Sequence, residues 1–138
     1  MLAVEWTRES RRILLPILIL PPEPARELTS VQCTALLDTG STSSGIARSV
    51  AQQLGLDRLG KRPLGSAHGE AQVERYLFQV GIMPSSEREA PRLPYVFEAV
   101  IGFELTNVFQ FDALLGMDVL GRCDFAMYRN GRCRLELG

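Results

Sequence analysis

Ala35-Leu36-Leu37-Asp38-Thr39-Gly40-Ser41-Thr42-Ser43-Ser44-Gly45 is an apolar run that ends on a carboxylate and breaks into turn-forming and hydroxyl residues. An aspartate at the end of an apolar strand is costly to bury unless it is hydrogen-bonded, protonated or paired. Glycine two positions later lets the backbone turn closely and expose its amides. The Thr39 and Ser41 hydroxyls can hold loop geometry or bond the carboxyl group. These parts suit a rigid carboxyl at the floor of a cleft. They also suit a helix cap, since Ser, Thr and Asp are preferred there. Ile46, Val50, Ala51 and Leu54 follow at helical spacing, and Gly55 stands where a helix stops. Capping explains the polarity of the loop but not why Ala35-Leu36-Leu37 runs straight into a carboxylate. The residues themselves leave both readings open.

Working outward, Val31 to Leu37 alternates sides as a strand does. Ile13 to Leu20 is unbroken and apolar, which predicts a strand buried on both faces, with the backbone at Pro16 turned away from a ladder partner. This run follows Arg11-Arg12 and superficially imitates a signal peptide. The polar stretch Glu5 to Arg12 before it, and Pro21-Pro22-Glu23-Pro24 after it without a small-residue cleavage site, argue against that reading. Met1 to Arg11 has no clear period and is expected to be a loose leader or interface arm, leaving residues 12–138 as the domain.

Downstream, Lys61 to Ile82 reads as a hairpin turning within Gly65-Ser66-Ala67-His68-Gly69-Glu70, with Tyr76, Phe78, Val80 and Ile82 alternating in the return arm. Pro84 to Pro94 is a solvated connection. Tyr95 to Phe103 and Phe111 to Leu115 are strands, and Gly116 to Gly121 holds about one helical turn. Asp124 to Tyr128 and Cys133 to Leu137 form a hairpin around Asn130-Gly131. Many short strands and brief helices make a mostly-β domain. The order strand, loop, short helix occurs around Asp38 and again around Gly116.

The 138 residues fit one domain at about 150 residues per domain. With 46% hydrophobic residues the chain can bury a core. A net charge of −1, with 14 arginines scattered rather than striped, gives no footprint for nucleic acid. Cys33, Cys123 and Cys133 cannot all pair, and with His68 as the single histidine a Cys/His zinc site lacks ligands. The longest apolar run falls short of the roughly 20 residues that span a bilayer. The compartment stays open, with the cytoplasm favoured for the chain as given. Asp118 reads as a helix-start or surface carboxylate, Asp112 and Asp124 as surface or turn residues, and Cys33 as a small core residue.

Leu36-Leu37-Asp38-Thr39-Gly40-Ser41 resembles the Asp-Thr/Ser-Gly signature of aspartic proteases. Ala113-Leu114-Leu115-Gly116-Met117-Asp118-Val119-Leu120 resembles the second hallmark of the retropepsin-like group, two apolar residues and a glycine followed by a short helix. The hairpin at 65–70 lies between them, where that family carries its flap. Order and spacing agree from about Arg12 to Leu137, and the wording of the second motif is similar to that of bacterial single-domain members.

The resemblance implies a closed, β-barrel-like acid-protease (retropepsin) fold with one or two short helices. It also implies an aspartic endopeptidase without metal or cofactor that acts on extended polypeptide. Such proteolysis uses two carboxyls sharing a proton across a water, and this chain carries one Asp-Thr-Gly. The implied dyad is therefore Asp38 from two copies, a homodimer. Thr39 would bond across the axis, Gly40 would offer its carbonyl to the peptide, and Ser41 would support the carboxylate. Ser66, Ala67, His68 and Gly69 would form the flap tip, and Leu114, Leu115 and Gly116 the second motif. Ser41 stands where viral relatives carry alanine, and the flap tip has fewer glycines. The competing reading is the same fold used as a dimerisation or peptide-binding module with little or no hydrolysis. A serine hydrolase on Ser41 to Ser44 lacks the G-x-S-x-G turn, and a pairing of Asp118 with Asp38 in one chain is a further alternative.

Overall fold

A computed structural model describes residues 2–22, 29–66, 69–85, 93–106 and 110–138, the side chain of Ser66 excepted. Ten strands and two short helices follow one another as β1 (Ala3–Thr7), β2 (Leu14–Leu20), β3 (Val31–Leu37), β4 (Gly45–Ala47), α1 (Arg48–Leu54), β5 (Lys61–Ser66), β6 (Gly69–Ile82), β7 (Tyr95–Leu105), β8 (Ala113–Leu115), α2 (Met117–Leu120), β9 (Asp124–Met127) and β10 (Arg132–Glu136). The mostly-β reading holds. The turn of the β5–β6 hairpin, with Ala67 and His68, lies outside the described residues.

The larger sheet runs β2-β3-β8-β4-β7-β6-β5, and a further β2–β6 pairing brings its flanks together. That junction covers only Leu18–Leu20 against Gln79–Gly81, so the barrel is not strictly closed. Curling gives the sheet an inside. Tyr76, Phe78, Val80 and Ile82 of β6 are all buried on it, as period-2 alternation requires. For β2 the expectation of two buried faces fails. Leu15, Ile17 and Ile19 are buried, Leu14, Leu18 and Leu20 are half-buried, and Pro16 is exposed. Among the described residues the outer face is only partly covered, so an unbroken apolar run alternates in burial all the same. On β7 a bulge opposite Phe78 to Val80 puts Ala99 at φ +55°.

A second sheet, β1-β10-β9, contributes Val4 and Leu135 to the same buried cluster as the first. The segment expected to be a loose leader or interface arm, Met1 to Arg11, contains β1, which pairs within its own chain with β10 from Ala3↔Glu136 to Thr7↔Arg132. Val4 is buried and Trp6 stacks on Phe125 at a centroid distance of 6.4 Å. The β9–β10 turn is the predicted one: Gly131 takes φ +97° and its N–H donates to the Tyr128 carbonyl at 3.0 Å. Helix α1 also stops as predicted, at Gly55 with φ +63°, although Ile46 belongs to β4 rather than to the helix.

The topology around β8 decides where chemistry can occur. β8 lies between β3, to which it is parallel, and β4, to which it is antiparallel. Leu37↔Leu115 is the last β3–β8 pair, so both strands end at the same level. From there the chain must cross over the end of β8 to reach β4, where Gly45 pairs with Leu114. Residues 38–44 make that crossing, and Gly116 lies beneath them.

Candidate active site

The crossing brings together two motifs far apart in sequence. The Asp38 N–H donates to the Leu115 carbonyl at 2.9 Å, and the Met117 N–H donates to the Ser41 carbonyl at 2.8 Å. Leu114, Leu115 and Gly116 are thus the floor on which the Asp38 loop rests. Leu37 and Leu115 are buried beneath it.

Asp38 is half-buried, with Thr39 and Gly40 exposed beside it. Its Oδ1 accepts the Gly40 N–H at 2.9 Å, and its carbonyl accepts the Ser41 N–H at 3.2 Å. Glycine at position 40 serves this geometry, because a Cβ there would stand 3.2 Å from Asp38 Oδ1. The result is a carboxyl held in a tight turn and open to solvent on one side. The Ser41 hydroxyl donates to the Ser43 carbonyl at 2.7 Å rather than to the carboxylate, so it braces the loop internally.

Two aspartates, Asp112 read as a surface or turn residue and Asp118 as a helix-start or surface carboxylate, anchor the site from within, Asp118 from the first turn of α2. Asp112 Oδ1 accepts the Thr34 N–H at 2.7 Å and ties the start of β8 to β3. Asp118 accepts the Ser44 N–H at 3.0 Å on Oδ2 and the Ser44 hydroxyl at 2.7 Å on Oδ1. Its carboxylate is committed there, which removes it as a partner for Asp38 in the same chain. Ser44, fully buried, read from sequence only as part of the Ser41 to Ser44 capping or hydrolase candidates, and its tie to Asp118 was missed; α1 itself takes Ala47 as N-cap with no side-chain cap. The available signal was the repeated strand-loop-helix order, which required something polar to join the two loops. Cys33 is core, as expected, and burial next to Asp112 pushes its thiol up to about 12, so it stays protonated and inert.

Ser66 and Gly69 sit at the ends of β5 and β6 and pair with each other, Gly69 at φ +107°. Among the described residues no group of His, Cys, Asp and Glu could hold a metal ion. No helix there is long and apolar enough to cross a membrane.

The gag-polyprotein putative aspartyl protease family matches residues 27–122, from before β3 through α2. The chain belongs to that family. Among solved structures, this aspartyl protease family member is similar to a retropepsin-like aspartic protease from Rickettsia conorii, with 17% identity, a TM-score of 0.62, and 96% of this chain and 89% of that one covered. The likeness establishes the retropepsin fold. The EIAV protease complexed with the inhibitor HBY-793 also matches, at 16% identity, a TM-score of 0.48, and 82% and 88% coverage. No curated protein sequence matches.

Proposed function

We propose that this protein is an aspartic endopeptidase whose catalytic carboxyls are the Asp38 side chains of two copies meeting at a two-fold axis. The observation that carries the proposal is the half-buried Asp38 carboxyl, fixed by Gly40 on the Leu115–Gly116 floor, in a chain of aspartyl protease family. One Asp38, ionised, takes a proton from a water held between the pair as the water oxygen attacks the scissile carbonyl carbon. The other, protonated, donates to the carbonyl oxygen. The tetrahedral intermediate then collapses, the C–N bond breaks, and a proton passes to the leaving nitrogen. The two carboxyls titrate as a pair, so their pKa values belong to the assembly. Thr39 faces the partner copy, Gly40 offers its carbonyl to the substrate backbone, and the β5–β6 hairpin with Ser66 to Gly69 closes over an extended peptide, adding it as a strand.

Cleavage of a peptide library, read by mass spectrometry, tests the proposal. Asp38→Asn should abolish cutting while circular dichroism and sedimentation match the parent, and a statine-type transition-state mimic should inhibit the parent. Activity should fall toward alkaline pH as the shared proton is lost. A variant that cuts as fast as the parent, or a rate that keeps rising into the alkaline range, would exclude the mechanism. Peptide binding without any cleavage would favour a binding module.

A further inference from the structure

Behind the loop that carries Asp38 lies a polar knot the reaction does not use. Ser44 is buried, and both its donors point at Asp118: its N–H reaches Oδ2 at 3.0 Å and its hydroxyl reaches Oδ1 at 2.7 Å. Oδ1 also accepts the Val119 N–H at 3.0 Å. Having given its one hydrogen to Asp118, the Ser44 hydroxyl accepts the Gly116 N–H at 3.1 Å. With the Gly116 N–H directed at its oxygen, the Ser44 hydroxyl keeps its hydrogen for Asp118, and three donors converge on that carboxyl. The backbone fastens the same region twice more, through Met117 N–H to Ser41 O at 2.8 Å and Phe103 N–H to Ser44 O at 3.0 Å.

We infer that Asp118 is a positioning residue for Asp38, acting through Ser44 to hold residues 38–44 rigid over Gly116. For its kinetic consequence the inference rests on the peptidase reading; for its structural consequence it does not. In a paired site the separation of the two Asp38 carboxyls is set by how firmly each loop is held to its own chain, and misplacement of about 1 Å costs on the order of 100-fold in rate. Asparagine at 118 has nearly the same shape but one acceptor fewer. Its NH2 would face either the Ser44 N–H or the pair formed by the Ser44 hydroxyl and the Val119 N–H. In both orientations donor meets donor.

The test compares Asp118→Asn with the parent, with sites counted by titration with a tight statine-type inhibitor and amide hydrogen exchange followed by mass spectrometry. We expect kcat per titrated site to fall by roughly 10- to 100-fold with KM nearly unchanged, and exchange to quicken in residues 38–45 but not in β6. A purely structural role would lower the number of titratable sites and leave kcat per site alone, which overturns the inference. Unchanged exchange at 38–45 overturns it as well. Should Asp118→Asn fail to fold, Ser44→Ala removes the hydroxyl, keeps the backbone link to Asp118 and carries the same comparison. A parent that cuts no peptide overturns the peptidase reading instead, and exchange at 38–45 then decides the anchoring alone.

Discussion

A methyl group on Gly116 would stand 2.6 Å from the Ser43 carbonyl oxygen and 2.8 Å from that of Ser41. Both are backbone atoms that cannot swing away. The φ of −96° is open to any residue, so the glycine is required by space rather than by conformation. This gives the apolar-apolar-Gly motif its physical content: Leu114 and Leu115 fill the strand beneath, and the missing side chain lets the Asp38 loop cross. Gly116→Ala should therefore cost about 1–3 kcal/mol by overpacking, read as a lower urea midpoint, and should depress cleavage in the folded fraction too. Gly65→Ala, where nothing lies within 4 Å of the new methyl, should stay within about 0.5 kcal/mol. At this scale Asp38 was legible because a carboxylate is unusual at the end of an apolar strand, and Gly116 through the resemblance of its motif. Asp118 and Ser44 were not, because a short polar side chain beside a helical turn looks the same whether it faces water or a loop folded over it.

Among the elements, β6 does two jobs in one strand. Up to Glu74 it pairs with β5, and from Arg75 onward it pairs with β7. Tyr76 sits just past this change of partner and donates its hydroxyl to Glu104 Oε1 at 2.7 Å, while Arg48 of α1 reaches both oxygens of the same carboxylate at 3.1 and 3.2 Å. The root of the hairpin is thus clamped to β7 and α1 through one buried acid. The Arg48 guanidinium and the Tyr76 hydroxyl hold Glu104 below its ordinary value of 4.5 against the opposing effect of burial, and Tyr76 is pushed up to about 12, mainly by burial. A depressed acid stabilises the fold above its unfolded pKa and loses that contribution as pH falls through the folded value. Glu104→Gln should accordingly lower the urea midpoint at neutral pH, and the gap from the parent should narrow well below pH 4.5. A gap of constant size would mean that packing, not charge, holds the root. Tyr76→Phe should cost about 1–2 kcal/mol at neutral pH by withdrawing a buried donor, seen in the same denaturation curves. The alternation of β6 revealed the strand and its buried face from sequence. Glu104 gave no such sign, since a charged residue in a strand reads as solvent-facing until α1 is packed over it.

For the molecule as a whole, the proposed shared dyad makes activity a property of concentration. Specific activity should fall on dilution below the dissociation constant of the pair and recover on concentration, with the rate rising as the square of chain concentration at the dilute end. Strictly proportional rates down to a sedimentation-proven monomer would contradict a site built from two copies. The mostly-β architecture was legible in outline because strands such as β6 alternate cleanly and the hairpin turns carry Asn130-Gly131 and Gly69, whereas the barrel followed only from the family resemblance. β1 was not, since five residues are too few to establish a period and its partner lies at the far end of the sequence. That separation has a consequence for biosynthesis. β1 is made well before its hydrogen-bonding partner Arg132–Glu136. At about 5–20 residues per second, Val4 and Trp6 wait roughly 6–25 seconds on an unpaired edge. During that interval they are open to chaperones or to the same strand of a neighbouring nascent chain, so the pace of translation sets the exposure.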